Sequence, residues 1–308
     1  MSPKKLESIA RKLPPVVTRL GKRFAVKLRA KNQFAACKEG YKKYGDRYQQ
    51  PILFIAGLPK SGSTWIEKMV ASYKGYHEFL LPTIAKYELA TGGSHDFELP
   101  IGMFNNMKNM LVLTKMHSHG SVNNVQVLET AGINYVILHR DLRDVAVSYH
   151  FYVHNTPWHP EHKLHRNKGV QEGLEVFAER MLPAYIDWVN SWKNNANPKH
   201  SVQLRYEDLL VNPVLEMTKV ATLFELDNSV ETITRIVEAH SFKNMSGGRK
   251  RGESSSSAFA RKGVAGDWKN HFTPELRKQY GKVLAAFLIE NNYETDSDWI
   301  TEESKSTP

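Results

Sequence analysis

Lys60, Lys115 and His117 are the side chains best suited to group-transfer chemistry in this 308-residue chain. Lys60 lies in Gly57-Leu58-Pro59-Lys60-Ser61-Gly62-Ser63-Thr64-Trp65, where a short apolar run meets the start of a helical pattern. A glycine-containing turn at such a junction aims backbone N–H groups at an anion, and the helix dipole adds to the attraction. Lys60 brings a full charge, and Ser61, Ser63 and Thr64 bring hydroxyl donors. The loop is not the ATP-type G-x-x-x-x-G-K-[ST], because Ser63 follows Gly62 where that motif has lysine. A Walker-type hydrolase also wants an aspartate at a strand end to help hold Mg²⁺, yet the run Tyr135–His139 ends in Arg140. Arginine there suits a phosphate bound directly, and no metal is expected.

The stretch Leu111-Val112-Leu113-Thr114-Lys115-Met116-His117-Ser118-His119 places a lysine and two histidines at the end of a second apolar run. Alternation along an extended chain points Lys115 and His117 to one side. A hydroxyl acceptor needs a base as its new bond forms, and histidine suits that task near neutral pH. His117 is the expected base and His119 its rival, since a one-residue bulge exchanges them. Lys60 and Lys115 are placed to stabilise charge on a departing phosphate.

These residues need a scaffold that gathers strand ends. Ile52–Ala56, Leu111–Thr114, Tyr135–His139 and Val202–Arg205 read as short buried strands. They alternate with helical patterns over Ser63–Tyr73, Asn123–Ala131, Leu142–Val153, Val170–Asn194, Pro213–Phe224, Val230–Ala239 and Pro274–Asn291. The expected fold class is therefore α/β: one domain, residues 51–294, with a central parallel sheet flanked by helices. Open sheets of this kind bind ligands at the carboxyl ends of their strands, where the chemistry-bearing residues fall. The Gly/Ser-rich stretch Ser246–Ser257 is expected to be a mobile loop, and the polar tail from Thr295 to fray.

With 41% hydrophobic residues and no apolar run of membrane-spanning length, the chain is expected to be globular and cytoplasmic. Its single cysteine, Cys37, fits a reducing compartment. The net charge of +10 is concentrated in residues 1–50, where 14 Lys and Arg face three acids. Val17, Leu20, Phe24 and Leu28 recur there at helical spacing among Arg19, Lys22, Arg23, Lys27 and Arg29, a basic amphipathic helix. Three roles are open to it: peripheral contact with an anionic membrane, steering of an anionic substrate, or a solvated face packed on the domain. No nucleic-acid partner is expected.

Three segments taken together, Pro59–Trp65, His139–Ser148 and Arg261-Lys262-Gly263-Val264-Ala265-Gly266-Asp267-Trp268-Lys269-Asn270, resemble the cytosolic sulfotransferases that use 3′-phosphoadenosine 5′-phosphosulfate (PAPS). The resemblance spans about residues 50–290. It implies sulfuryl transfer from PAPS to a hydroxyl, or alternatively an amine, of a small-molecule acceptor, in line, on a P-loop-like fold. It also implies that Lys60, Ser61, Gly62, Ser63, Thr64 and Trp65 hold the 5′-phosphosulfate end, with Trp65 on the adenine. Arg140 and Ser148 would bind the 3′-phosphate with Arg261, Lys262 and Gly263, while Tyr206 and Phe242 add adenine contacts. The family's lysine and catalytic histidine match Lys115 and His117.

The chain departs from the family in places. His240 replaces a usual threonine two residues before Phe242, which puts that adenine contact in doubt. Pro274 interrupts a short dimer motif, so that dimer mode is not supported. The basic extension over residues 1–50 has no counterpart. Phe79-Leu80-Leu81-Pro82, the stretch Tyr149–Trp158 (Tyr149, Phe151, Tyr152, His154, Trp158) and the 246–257 loop are expected to build the acceptor pocket, while Phe259 and Trp268 read as packing residues. Competing readings are a P-loop phosphotransferase and a non-catalytic basic membrane-surface adaptor.

Overall fold

The computed structural model describes residues 15–255 and 261–301, with backbone alone for 15–20 and 22–24. In chain order the first half holds α1 (Pro15–Tyr44), β1 (Ile52–Gly57), α2 (Ser63–Val70), β2 (His77–Glu78), α3 (Pro82–Thr91), β3 (Val112–Met116), α4 (Val122–Thr130), β4 (Tyr135–His139) and α5 (Leu142–His154). The second half holds α6 (His162–His165), α7 (Val170–Arg180), α8 (Leu182–Asn195), β5 (Ser201–Arg205), α9 (Tyr206–Val211), α10 (Pro213–Leu223), α11 (Val230–Ala239), α12 (Phe242–Met245) and α13 (Pro274–Glu290).

All four expected strands are present, and with β2 they form a parallel sheet in the order β2-β3-β1-β4-β5. Every residue of β1 is buried, as a central strand covered on both faces requires. Its alternate side chains feed opposite layers. Phe54 and Ala56 join Trp188 and Trp192 on one face, and Leu53 and Ile55 join Ile66, Met69 and Phe224 on the other. The domain is thus a single α/β unit. Phe54 pairs with Thr114 of β3 on one side and Tyr135 of β4 on the other. The chain therefore changes direction across the sheet at β1, and the end of β1 opens into the crevice where such folds bind ligands.

Several expectations need correction. Val170–Asn194 is two helices, because Pro183 lacks an N–H and disfavours helical geometry at Leu182; the break falls at Met181. The helix that starts at Ser63 ends at Val70, three residues early. α3, α6, α9 and α12 were not expected from the pattern. The 246–255 part of the Gly/Ser-rich stretch has no packed core, yet it is tied down. Gly252 N–H donates to Lys262 O (2.9 Å), and the Arg249 guanidinium donates to Arg261 O (2.8 Å). Ser256, Ser257 and Phe259 lie outside the described residues. The tail does not simply fray after Thr295: Trp299 is buried with its ring 5.7 Å from that of Trp268. Trp268 is itself buried, the packing residue that was expected.

Where its side chains are described, α1 packs on the domain through residues outside the expected stripe. Leu28 is 52% exposed, while Ala30 and Cys37 are buried and Gly40 meets the domain. The side chains of Val17, Leu20 and Phe24 lie outside the description. Among the described residues, no helix is long and apolar enough to cross a membrane.

Candidate active site

The turn after β1 is shaped by close approach. Lys60 and Gly62 both have left-handed backbone, with φ of 68° and 85°. A side chain at Gly62 would place its Cβ 2.7 Å from the Tyr206 ring, and one at Gly57 would come within 2.4 Å of Ser63 Cβ. The loop is closed by Leu58 N–H donating to Leu138 O of β4 (2.8 Å). Helix α2 then starts at Ser63 with no side-chain cap; Trp65 N–H turns back to Gly62 O (2.8 Å), and the Ser63 and Thr64 N–H groups are left at the crevice end of the sheet.

A cavity of about 590 Å³ opens there, and Lys60, Gly62, Ser63, Thr64 and Trp65 line it. Ser61 does not. Its side chain is fully buried beneath the loop, and its N–H donates to Leu58 O (3.2 Å), so the hydroxyls on the wall are those of Ser63 and Thr64. Lys60 Nζ lies 4.2 Å from the centre of the Tyr152 ring. Burial, together with the nearby charges of Arg140, Arg261 and Lys115, pushes the Lys60 amine down to about 7. A lysine crowded by three other cations marks a place built for a polyanion.

A second group of cations faces the same cavity: Arg140 directly after β4, and Arg261 and Lys262 beside Gly263, with Ser148 on α5. Sequence reasoning left Arg140 the alternative of an ion pair with Asp141 or Asp144. The pair exists, with Asp144 at 3.0 Å, and it does not remove Arg140 from the cavity. The Asp144 side chain is wholly buried and accepts further bonds from Gly266 N–H (2.7 Å) and Trp268 N–H (2.9 Å). Arg140 also donates to Val264 O (2.8 Å). The 261–268 segment is thereby fastened to α5. Asp267 takes the second role, bridging Lys262 (2.6 Å), Arg261 and His271. Burial would raise its carboxyl, but hydrogen bonds from His271, Lys262 and Arg261 outweigh that and hold it far below the usual carboxylate range. From sequence Asp144 was read only as a surface ion-pair partner of Arg140, not as a buried hub, and Asp267 was not identified.

Aromatic rings share the cavity wall with these cations. Trp65 Nε1 donates to His240 O (2.9 Å), and its ring meets Tyr206 edge-on at 6.4 Å. Position 240 thus meets Trp65 through its main chain, whatever side chain stands there. Phe242 packs so closely on Gly263, which has φ of 66°, that an added Cβ would fall 2.3 Å from the ring. Trp65, Tyr206, Phe242 and Gly263 all line the cavity.

Lys115 and His117 line it as well. Lys115 Nζ is tied to α2 by Glu67 (2.7 Å) and Thr64 Oγ1 (3.0 Å). His117 is held at three points: its N–H donates to Ser94 Oγ (3.3 Å), its carbonyl accepts from Trp188 Nε1 (2.6 Å), and its ring Nδ1 bonds Gly57 O. A carbonyl only accepts, so Nδ1 carries the proton and Nε2 is left as the basic atom. Burial lowers the His117 pKa, Lys115 adds to the effect, and the charge of Glu88 opposes it. His119 is bound by Glu98 (2.8 Å) and is not on the cavity wall.

Of the expected acceptor residues, Leu80, Tyr149, Tyr152 and Trp158 line the cavity. Phe79 and Leu81 belong to the core. Phe151 instead lies 4.8 Å from the Arg261 guanidinium, and His154 bonds His165 O (3.0 Å). The 246–255 segment contributes Arg251. Ala25, Val26 and Arg29 of α1 and Glu88 and Leu89 of α3 were not anticipated.

A glycine turn at the switch point of a parallel sheet, opening on one cavity lined by cations and by aromatic rings, defines a P-loop-like transferase architecture. A family model described as the sulfotransferase domain matches residues 50–292, and the chain belongs to that family. It is 29% identical to human sulfotransferase 1E1 over 250 residues, covering 75% of this chain and 81% of the relative. It is 24% identical to cytosolic sulfotransferase 11 of Arabidopsis thaliana over 262 residues, covering 75% and 71% respectively. The fold resembles mouse sulfotransferase SULT7A1 crystallised with PAP, with a TM-score of 0.59 at 18% identity, over 89% of this chain and 96% of that one. It also resembles retinol dehydratase in complex with androsterone and PAP, with a TM-score of 0.55 at 19% identity, over 81% and 85%.

Proposed function

We propose that this enzyme transfers a sulfuryl group from PAPS to a hydroxyl of a small-molecule acceptor, with His117 as the base. The observation that carries the reading is the set of cations on one cavity wall, Lys60, Lys115, Arg140, Arg261 and Lys262, with Arg140, Arg261 and Lys115 near enough to Lys60 to depress its amine. A nucleotide with phosphate at both its 5′ and 3′ ends fits that charge pattern, and Trp65, Tyr206 and Phe242 supply ring faces for its base.

When bound, PAPS supplies the sulfuryl group and leaves as 3′,5′-adenosine bisphosphate (PAP). His117 Nε2 takes the acceptor proton as the new oxygen–sulfur bond forms and the bond to the 5′-phosphate breaks. Lys60 and Lys115 hold the charge that builds on the leaving phosphate without large reorganisation, since Thr64 and Glu67 already fix Lys115. Ser148, Arg140 and the 261–263 segment position the far end of the nucleotide.

Calorimetric titration tests the nucleotide half of this reading. PAP should bind tightly without Mg²⁺ and ATP much more weakly; tight, Mg²⁺-dependent ATP binding overturns it. Incubating PAPS with a panel of phenols and alcohols, read as a mass gain of one sulfuryl group, tests the transfer.

A further inference from the structure

We infer that α1 forms an outer wall of the acceptor slot, and that Ala25 and Val26 set the width of the acceptor body it admits. The inference rests on the sulfotransferase reading above. The family match begins at residue 50, yet Ala25 and Val26 line the same cavity as Lys60 and His117.

The wall is held at a fixed height by residues further along α1. Gly40 lies so close to the Gly75 carbonyl that a Cβ would fall 2.0 Å from its oxygen. Cys37 O accepts from Leu111 N–H (3.1 Å), and Gln33 Oε1 accepts from Leu80 N–H (3.0 Å). Arg29 pairs with Glu78 of β2 at 3.3 Å. These contacts fasten one helix at four successive turns to the edge of the sheet. From Cys37 back to Val26, a helical rise of 1.5 Å per residue carries the chain about 16 Å, from the sheet edge out along the slot.

Ala25 and Val26 share the cavity wall with Leu80, Ala85 and Leu89, and Tyr149 and Trp158 add ring faces. These residues form an apolar stretch of a lining that also includes Arg29 of α1 and Glu88 of α3. They suit the non-reacting body of a fused-ring phenol or hydroxysteroid, while His117 addresses its hydroxyl. Small side chains at 25 and 26 leave the room, and extra bulk there takes it away at a cost steep enough to discriminate between acceptors.

The test uses the full chain with Ala25→Leu and Val26→Trp, and Leu28→Trp on the exposed side of α1 as control. Probes are 4-methylphenol and a four-ring hydroxysteroid, read by turnover with PAPS and by direct binding in the presence of PAP. The wall predicts a rise of tenfold or more in KM and in Kd for the steroid with Val26→Trp, and a smaller rise with Ala25→Leu. It predicts changes under twofold for 4-methylphenol, for PAP, and throughout Leu28→Trp. Unchanged steroid binding in both wall variants overturns the inference. So does equal loss of PAP and both acceptors, or a wild-type chain that binds neither probe. Steroid binding that is lost in Val26→Trp while the wild type transfers to neither acceptor sustains the wall and sinks the transfer reading instead.

Discussion

Nδ1 of His117 donates to the carbonyl oxygen of Gly57, joining the residue after β3 to the last residue of β1. The bond ties the orientation of the base to the glycine turn that carries Lys60. It also assigns the tautomer, leaving Nε2 for the acceptor. Burial keeps this ring neutral into mildly acidic solution.

His117→Ala should lower kcat by about 10² to 10⁴ while PAP affinity stays within twofold. His119→Ala should stay near wild type, since Glu98 holds that ring away from the cavity. The acid limb of the kcat profile should fall below the ordinary histidine pKa of about 6.5, because protonation removes the base and burial shifts that protonation downward. Near-normal turnover in His117→Ala would remove it from the mechanism.

Lys60, with its amine pushed down to about 7, should be mostly neutral at pH 8 in the free protein. A bound polyanion raises that pKa, so PAP binding at pH 8 should take up close to one proton from solution. At pH 5.5 Lys60 is already charged, and its share of the uptake should vanish. Titrations in two buffers of unlike ionisation enthalpy measure this directly. Lys60→Met should abolish the uptake at pH 8; a wild-type value near zero there would contradict the assignment.

Asp144→Ala removes the carboxylate shared by Arg140, Gly266 and Trp268. It leaves a buried guanidinium without its ion-pair partner, a change that costs about 3–5 kcal/mol in comparable sites. Chemical denaturation should show that loss. PAP affinity should fall at least tenfold while 5′-AMP, which lacks the 3′-phosphate, changes little. Arg140→Ala and Arg261→Ala should show the same preference. Parallel losses for both nucleotides would mean that these residues do not serve the 3′ end.

Gly263→Ala should weaken PAP by driving a methyl into the Phe242 ring and by imposing left-handed backbone, which costs a non-glycine residue about 1–2 kcal/mol. The double variant Gly263→Ala, Phe242→Ala relieves the collision and leaves the backbone cost. Relative to Phe242→Ala alone, the alanine at 263 should therefore hurt less than it does in the wild type. Equal effects in the two backgrounds would show that the ring contact is not what excludes a side chain.

The glycine turn, the strands that precede Lys60 and Arg140, and the strand that carries Lys115 up to His117 were legible from the sequence. Each is local. A buried strand is a run of apolar residues, and an anion-binding turn is a few adjacent residues with a glycine. The expected phosphate-end residues also came together, apart from the side chain of Ser61, which the turn buries. What the sequence did not reveal depends on residues far apart in the chain. Asp144 becomes a hub only because Gly266 and Trp268, more than 120 residues on, bring their N–H groups to it. The tautomer of His117 follows from a carbonyl 60 residues earlier. α1 contributes Ala25 and Val26 to the cavity because Gly40 and Cys37 seat it against Gly75 and Leu111, whereas the apolar stripe read from its sequence included the exposed Leu28. Chemistry-bearing residue types are written in one dimension, but which of them face one another is decided by packing.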